Sequence, residues 1–187
     1  MFDYLIKNAT LVDGLGGAPK AGDLAIKDGV IAEIGAISGQ ARETINAEGA
    51  YAAPGWVDVH THYDGQVSWD DVMDPSFSHG VTSVVMGNCG VGFAPCPPGG
   101  EQRMIELMEG VEDIPGTALY EGIEWGRWET FPEYIDYLGT REYTLDIGTQ
   151  VPHSAVRNYV MGERALRHED ATAEDLSAMA AIVHGAL

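Results

Sequence analysis

A short apolar segment between a Pro-Gly turn and two closely spaced histidines constrains the fold of this chain more than any other stretch. It is the sequence PGWVDVHTH, from Pro54 to His62. Alternation along a β-strand predicts that His60 and His62 point to one side, while Val57 and Val59 point to the other side, into an apolar layer. Two imidazoles at a strand end are a possible zinc-binding pair. A histidine pair that only hydrogen-bonds to backbone or solvent is the alternative, because the motif is three residues long.

Residues 1–53 predict a small all-β segment. Strands are expected near residues 4–12, 24–27, 30–34 and 43–47, with glycine-rich breaks between them. Asp28-Gly29 separates the second strand from the third, and this dipeptide is a strong signal for a type I′ hairpin. The glycines of residues 14–17 do not have the spacing of a nucleotide-binding fingerprint, so we interpret them as a turn.

Residues 54–187 predict alternating strands and helices. After the histidine strand, further strands are expected at 81–86 and 143–150, and helices at 75–80, 101–108, 131–138, 155–161 and 172–185. A long loop is expected over residues 112–130, where Trp125 and Trp128 anchor it or form a lid. About three strand-helix units in this order indicate an α/β domain with a parallel sheet.

The charge of the chain excludes several classes of partner. The sequence carries ten basic and twenty-nine acidic residues, for a formal net charge of −19. An acidic surface of this kind argues against binding to nucleic acid or to anionic membranes. No apolar run is long enough to span a membrane, the N-terminus lacks the pattern of a signal peptide, and two cysteines make no disulfide framework. We therefore expect a cytoplasmic protein.

A cysteine follows the predicted strand at 81–86. The sequence Gly87-Asn88-Cys89-Gly90 predicts a tight turn just past the carboxyl end of that strand. In a parallel barrel this face carries the active site, so Cys89 is expected beside His60 and His62. A thiolate there would be a third metal ligand. A buried free cysteine in a turn is the alternative.

The two motifs together resemble a known family. PGWVDVHTH at 54–62, followed by GNCG at 87–90, resembles the N-terminal portion of the zinc-dependent D-aminoacylases, a branch of the amidohydrolase superfamily. In that branch a cysteine at this place bridges the metals, whereas hydantoinases and dihydroorotases use a carboxylated lysine. The resemblance implies a TIM-like (β/α)8 amidohydrolase barrel preceded by a small β-sandwich segment, and it implies that His60, His62 and Cys89 bind one or two Zn²⁺ ions.

The resemblance also implies an activity and an incomplete site. The implied reaction is hydrolysis of the amide bond of N-acyl-D-amino acids, which are small-molecule substrates. The family's catalytic aspartate is expected beyond Leu187, so no catalytic residue is expected in this chain, which resembles an N-terminal portion. The alternatives are an amidohydrolase acting on cyclic amides or other acyl groups, and a non-catalytic fragment that needs a partner chain or self-association.

Three further residues are candidates for supporting roles near the predicted metal. Asp58 shares a face with the histidines, and Asp64 follows His62 by two residues. Either carboxylate could orient a ligand, or could make a buried structural hydrogen bond. His153 follows the third predicted strand and is a candidate for the substrate pocket, or an ordinary loop histidine.

Overall fold

Strands make up the first of the two units into which the chain divides, Met1–Gly55 and Trp56–Leu187. The computed structural model describes residues 1–109 and 114–187. In the first unit the strand order is β3-β2-β1-β4, and β5 also pairs with β1. Strand β1 is antiparallel to β2 and parallel to β4 and β5. The strands are β1 (Phe2–Leu11), β2 (Lys20–Lys27), β3 (Val30–Gly35), β4 (Ala41–Asn46) and β5 (Tyr51–Ala52).

The predicted hairpin between β2 and β3 is confirmed. Asp28 and Gly29 both have positive φ, at 52° and 76°, as a type I′ turn requires. The two strands pair in antiparallel fashion on either side of these residues. The core of this unit is small and is formed by Leu5, Ala25 and Ile37.

A three-stranded parallel sheet lies in the second unit. Its strands are β6 (Trp56–Asp58), β7 (Val81–Met86) and β8 (Asp146–Thr149), in the order β6-β7-β8. The mixed α/β class expected from the sequence is therefore confirmed. The helices are α1 (Glu101–Glu109), α2 (Gly116–Gly122), α3 (Phe131–Leu138), α4 (His153–Met161), α5 (Glu163–Leu166) and α6 (Ala173–Gly185).

Strand β6 ends earlier than the sequence predicts. The alternation predicts a strand up to His62, but β6 stops at Asp58 because the side chain of Asp58 accepts a hydrogen bond from the backbone N–H of His60, at 3.1 Å. Val57 and Val59 were expected in an apolar layer, and this expectation is wrong, since they are 61% and 66% exposed. In the described part of the chain, β6 is the edge strand of its sheet and pairs only with β7.

Two other segments also differ from expectation. Residues 143–150 were expected to form a strand, but β8 begins at Asp146 because the backbone N–H of Thr144 donates to Asp71 instead of joining the sheet. Residues 112–130 were expected to form one loop. Residues 112 and 113 lie outside the described residues, and the remainder contains helix α2, whose Leu119 is fully buried.

The core of the second unit lies between the sheet and the helices. The indole N–H of Trp128 donates to the carbonyl of Phe93, and the ring of Trp125 packs edge-on against Phe93. Both tryptophans therefore anchor their segment to the core. Among the described residues, no helix combines the length and apolarity needed to cross a membrane.

Candidate metal centre

His60, His62 and Cys89 lie together. The distance from Cys89 Sγ to His60 Nε2 is 3.4 Å, and the ring centroids of His60 and His62 are 5.4 Å apart. One potential ligand atom from each of the three side chains lies within 4.8 Å of the other two. Among the described residues, this is the one group of three or more histidine, cysteine and acidic side chains with metal-binding spacing.

The parallel sheet brings the three residues to one edge. His60 and His62 follow β6, and Cys89 follows β7, so the carboxyl ends of adjacent parallel strands meet here. Although β6 ends at Asp58, the chain returns to β7 at Thr61, whose backbone N–H donates to the carbonyl of Val85 at 3.0 Å. The proximity expected from the sequence is therefore present, with the histidines on an irregular segment beyond the strand.

Cys89 occupies an unusual backbone conformation. Its φ is 55°, between Gly87 at 79° and Gly90 at 79°. Glycine adopts such left-handed angles readily, but here Cys89 adopts one as well, whereas Asn88 does not. A non-glycine residue in this region is strained by about 1–2 kcal/mol, and such strain tends to occur at functional sites.

Asp58 supports the backbone of the first histidine. Its carboxylate accepts the His60 N–H, as described above, and this is the contact that the structure gives it with a candidate ligand. The side chain is partly buried at the end of β6. Asp58 therefore fixes where the chain turns out of the sheet.

Asp64 is buried behind the site. Its Oδ1 accepts the backbone N–H of Gly87 at 2.9 Å, which connects the segment after His62 to the turn that carries Cys89. Its Oδ2 is buried without a hydrogen-bond partner in the described part of the chain. Burial raises the pKa of Asp64 to about 7, and the Gly87 N–H opposes that shift.

His153 begins helix α4, and the start of this helix lies against the cysteine turn. A Cβ built on Gly90 would lie 3.4 Å from the Cβ of His153. The His153 side chain is exposed. It does not belong to the three-residue cluster.

The sequence missed the contribution of Asn88 and Gln150. The Asn88 side chain donates to the carbonyl of Val85 at 2.9 Å and accepts from Gln150 Nε2 at 2.8 Å. Asn88 is only 8% exposed. Its position beside Cys89 was a possible signal, but the sequence suggested only a turn-forming residue.

The donor set fits zinc. Two imidazole nitrogens and one sulfur are typical zinc ligands, and in a tetrahedral site a nitrogen and a sulfur ligand lie roughly 3.5 Å apart. The 3.4 Å separation of His60 Nε2 and Cys89 Sγ is close to this value. In addition, His62 Nδ1 is buried and has no hydrogen-bond partner among the described residues.

Comparison with known proteins gives a consistent result. The model of the amidohydrolase family matches residues 43–187. The D-aminoacylase of Alcaligenes xylosoxydans xylosoxydans is 33% identical to this chain over 179 residues, which are 95% of this chain and 34% of that protein. The chain spans between about a quarter and about a third of the length of the curated relatives that match most of it.

Solved structures agree with the sequence matches. A D-aminoacylase structure that addresses the role of a binuclear metal centre matches with a TM-score of 0.79 and 30% identity, over 100% of this chain and 36% of that one. N-acyl-D-glutamate deacylase from Bordetella bronchiseptica, complexed with zinc and a phosphonate inhibitor that mimics the tetrahedral intermediate, matches with a TM-score of 0.73 and 29% identity, over 100% and 36% of the two chains.

Proposed function

Because this chain belongs to the amidohydrolase family, in its D-aminoacylase branch, we propose that the protein hydrolyses the amide bond of N-acyl-D-amino acids with the help of zinc. The products are a carboxylate and a D-amino acid. The observation that carries the proposal is the cluster of His60, His62 and Cys89 at the carboxyl ends of β6 and β7.

The proposal extends to the fold. Residues 54–187 form the first part, about three strand-helix units, of a (β/α)8 barrel, and residues 1–53 form part of a small β-sandwich. Support comes from the sheet order β6-β7-β8, which is parallel throughout, and from helices that follow β7 and β8. Active sites of such barrels lie at the carboxyl ends of the strands, which is where the cluster is found.

In the proposed site, His60, His62 and Cys89 hold one or two zinc ions. Zinc supplies a bound water of lowered pKa and polarises a carbonyl group. The two imidazoles bind as neutral donors and Cys89 binds as a thiolate, so the three ligands together bring one negative charge. Asp58 holds the His60 backbone and Asp64 holds the Gly87 backbone, so each carboxylate fixes a segment that carries a ligand.

The first test is the zinc content of the purified protein, measured by mass spectrometry, in the natural chain and in two cysteine variants. We expect stoichiometric zinc in the natural chain and a large loss in Cys89→Ala, because one ligand of three is removed. Cys96→Ala is the matched control, since Cys96 is buried and its sulfur contacts the carbonyl of Pro97. It should keep its zinc.

Equal zinc in the two variants would contradict the proposed role of Cys89. Hydrolysis of N-acetyl-D-amino acids, of the L-enantiomers and of cyclic amides such as hydantoins is measured on a chain of the length of its relatives, because the catalytic aspartate is expected beyond Leu187. Preferential hydrolysis of the D-enantiomers is expected for that longer chain. Hydrolysis of cyclic amides alone would contradict the proposed substrate while leaving the metal site intact.

A further inference from the structure

One side chain connects both segments that carry the candidate ligands. The Asn88 carboxamide nitrogen donates to the Val85 carbonyl at 2.9 Å and lies 3.4 Å from the carbonyl oxygens of Val59 and Thr61. Val59 and Thr61 are the two residues on either side of His60, and Asn88 itself precedes Cys89. A single buried amide therefore contacts the backbone beside all three ligands.

The Val85 carbonyl is the centre of this arrangement. It accepts from the backbone N–H of Thr61 at 3.0 Å, from the Thr61 hydroxyl at 2.9 Å and from Asn88 Nδ2 at 2.9 Å. Because Val85 lies in β7, both the histidine segment and the cysteine turn are hydrogen-bonded to the same peptide group of the central strand. A shift of either segment would break bonds to a buried acceptor.

The other end of the amide is held as well. Asn88 Oδ1 accepts from Gln150 Nε2 at 2.8 Å, and the backbone N–H of Gln150 donates to the Met86 carbonyl at 2.9 Å. Gln150 directly follows β8. The bond from Gln150 fixes which side of the carboxamide presents its N–H groups to the carbonyls, because a flipped amide would lose this bond and place oxygen against oxygen.

From this geometry we propose that Asn88 is a positioning residue, which sets the separation of the Cys89 sulfur from the His60 and His62 nitrogens and so determines the affinity of the metal site. The inference rests on the proposed function. Outer contacts that orient ligands typically change metal affinity by about 10- to 100-fold when they are removed. Asn88 acts here on the backbone that carries the ligands and does not touch the metal.

The test replaces Asn88 with a residue of the same shape. Leucine has the branching of asparagine without its donors and acceptor, so Asn88→Leu removes the contacts with little change in volume. The affinity for Zn²⁺ is measured by competition with a chelator, and Co²⁺ is used as a spectroscopic probe of sulfur coordination. We expect zinc affinity to fall about 10- to 100-fold and the sulfur-to-cobalt charge-transfer band to weaken.

A matched control separates positioning from general stability. Tyr143→Phe likewise removes hydrogen bonding without changing the shape of the side chain, since the Tyr143 hydroxyl donates to the Val67 carbonyl at 2.9 Å and Val67 is not one of the residues beside the candidate ligands. Tyr143→Phe should retain both the zinc affinity and the cobalt band of the natural chain, even if it lowers the stability of the protein as much as Asn88→Leu does. Equal changes in the two variants would overturn the proposal.

A second variant decides the matter if Asn88→Leu does not fold. Gln150→Met removes only the bond to Asn88 Oδ1 and changes an exposed side chain, so folding is preserved. Zinc affinity should fall about 2- to 10-fold, the equivalent of one hydrogen bond. Unchanged affinity and an unchanged cobalt band would overturn the positioning role alone, whereas a natural chain that binds neither metal would overturn the proposed function as well.

Discussion

The turn that carries Cys89 requires a residue without a side chain at position 87, which is Gly87. Its φ is 79°, and a Cβ there would lie 2.4 Å from the carbonyl oxygen of Gln150 and 2.9 Å from its nitrogen. Those atoms are backbone and are fixed by the bond from Gln150 to Met86, so they cannot yield as a flexible side chain would.

We expect Gly87→Ala to destabilise the protein by about 3 kcal/mol or more, because left-handed strain and backbone overlap add together. Gly126→Ala is the matched control. Gly126 has nearly the same φ, 80°, but no non-neighbouring atom of the described residues lies within 4 Å of the position that a Cβ would occupy there, so only the backbone strain of about 1 kcal/mol applies. Chemical denaturation measures both values. Equal losses in the two variants would contradict the proposed overlap.

At the residue scale the sequence predicted the cluster but not its support. His60, His62 and Cys89 could be placed together because residues that follow the carboxyl ends of adjacent parallel strands meet at one edge of the sheet. Asn88 could not be predicted as a link, because its partners Val59, Thr61 and Gln150 come from two separate segments whose alignment is a property of the folded sheet.

Helix α6 has a defined set of polar contacts at its start. None of its residues is buried. Thr172 and Asp175 form a capping box, and the guanidinium of Arg164 contacts both oxygens of Asp175, at 3.2 Å and 2.7 Å. Met179 and Ile182 are partly buried and α6 packs against α4, so the polar contacts at its first turn add to this packing.

Loss of the Arg164 contact should loosen α6 locally. We expect Arg164→Met to speed amide hydrogen exchange in residues 173–185 while exchange in the core strand β7 stays unchanged. Arg167→Met is the matched control, because Arg167 is paired with Glu169 and not with the α6 cap. Faster exchange in both variants, or in neither, would contradict this role of Arg164.

The same contact predicts a dependence on pH. The hydrogen bond from Arg164 lowers the pKa of Asp175 from an ordinary value of 3.8 to about 2. Because the folded pKa lies below the unfolded one, the stabilisation is complete above about pH 4 and is lost as the pH falls toward 2. The helix signal of α6 should decrease over that range in the natural protein, and this decrease should be smaller in Arg164→Met, where only the hydrogen bonds from Thr172 still lower the pKa of Asp175.

Element boundaries were predictable where local signals encode them. The bounds of α3 were predicted correctly, and its start carries a capping box of Thr130 and Glu133. The ends of β6 and β8 were not predictable, because tertiary hydrogen bonds set them. Asp58 takes up the His60 N–H, and the Thr144 N–H goes to Asp71. The apolar periodicity of the sequence gives no information about such contacts.

At the scale of the whole molecule, the two units have cores of very different size. The core of Met1–Gly55 is formed by Leu5, Ala25 and Ile37, whereas that of Trp56–Leu187 includes many large residues, among them Met86, Phe93, Met104 and Leu119. Since hydrophobic stabilisation grows with buried apolar area, the first unit should be the less stable.

We therefore expect residues 1–55 to unfold at a lower denaturant concentration than residues 56–187. Hydrogen exchange followed peptide by peptide at increasing denaturant separates the two transitions. Leu5→Ala should shift only the first and Met104→Ala only the second, each by about 2–5 kcal/mol, because both side chains are fully buried. One coincident transition that both substitutions shift equally would contradict independent unfolding of the units.

The left-handed backbone of Cys89 has a consequence for anyone who redesigns this chain. A procedure that selects sequences for folding alone would place glycine or asparagine at position 89, since both adopt φ near 55° at lower cost than cysteine. The resulting protein would have lost the sulfur of the candidate metal centre. Position 89 is thus a site where selection for folding and retention of the proposed metal ligand favour different amino acids, and it should be held fixed in any library made from this sequence.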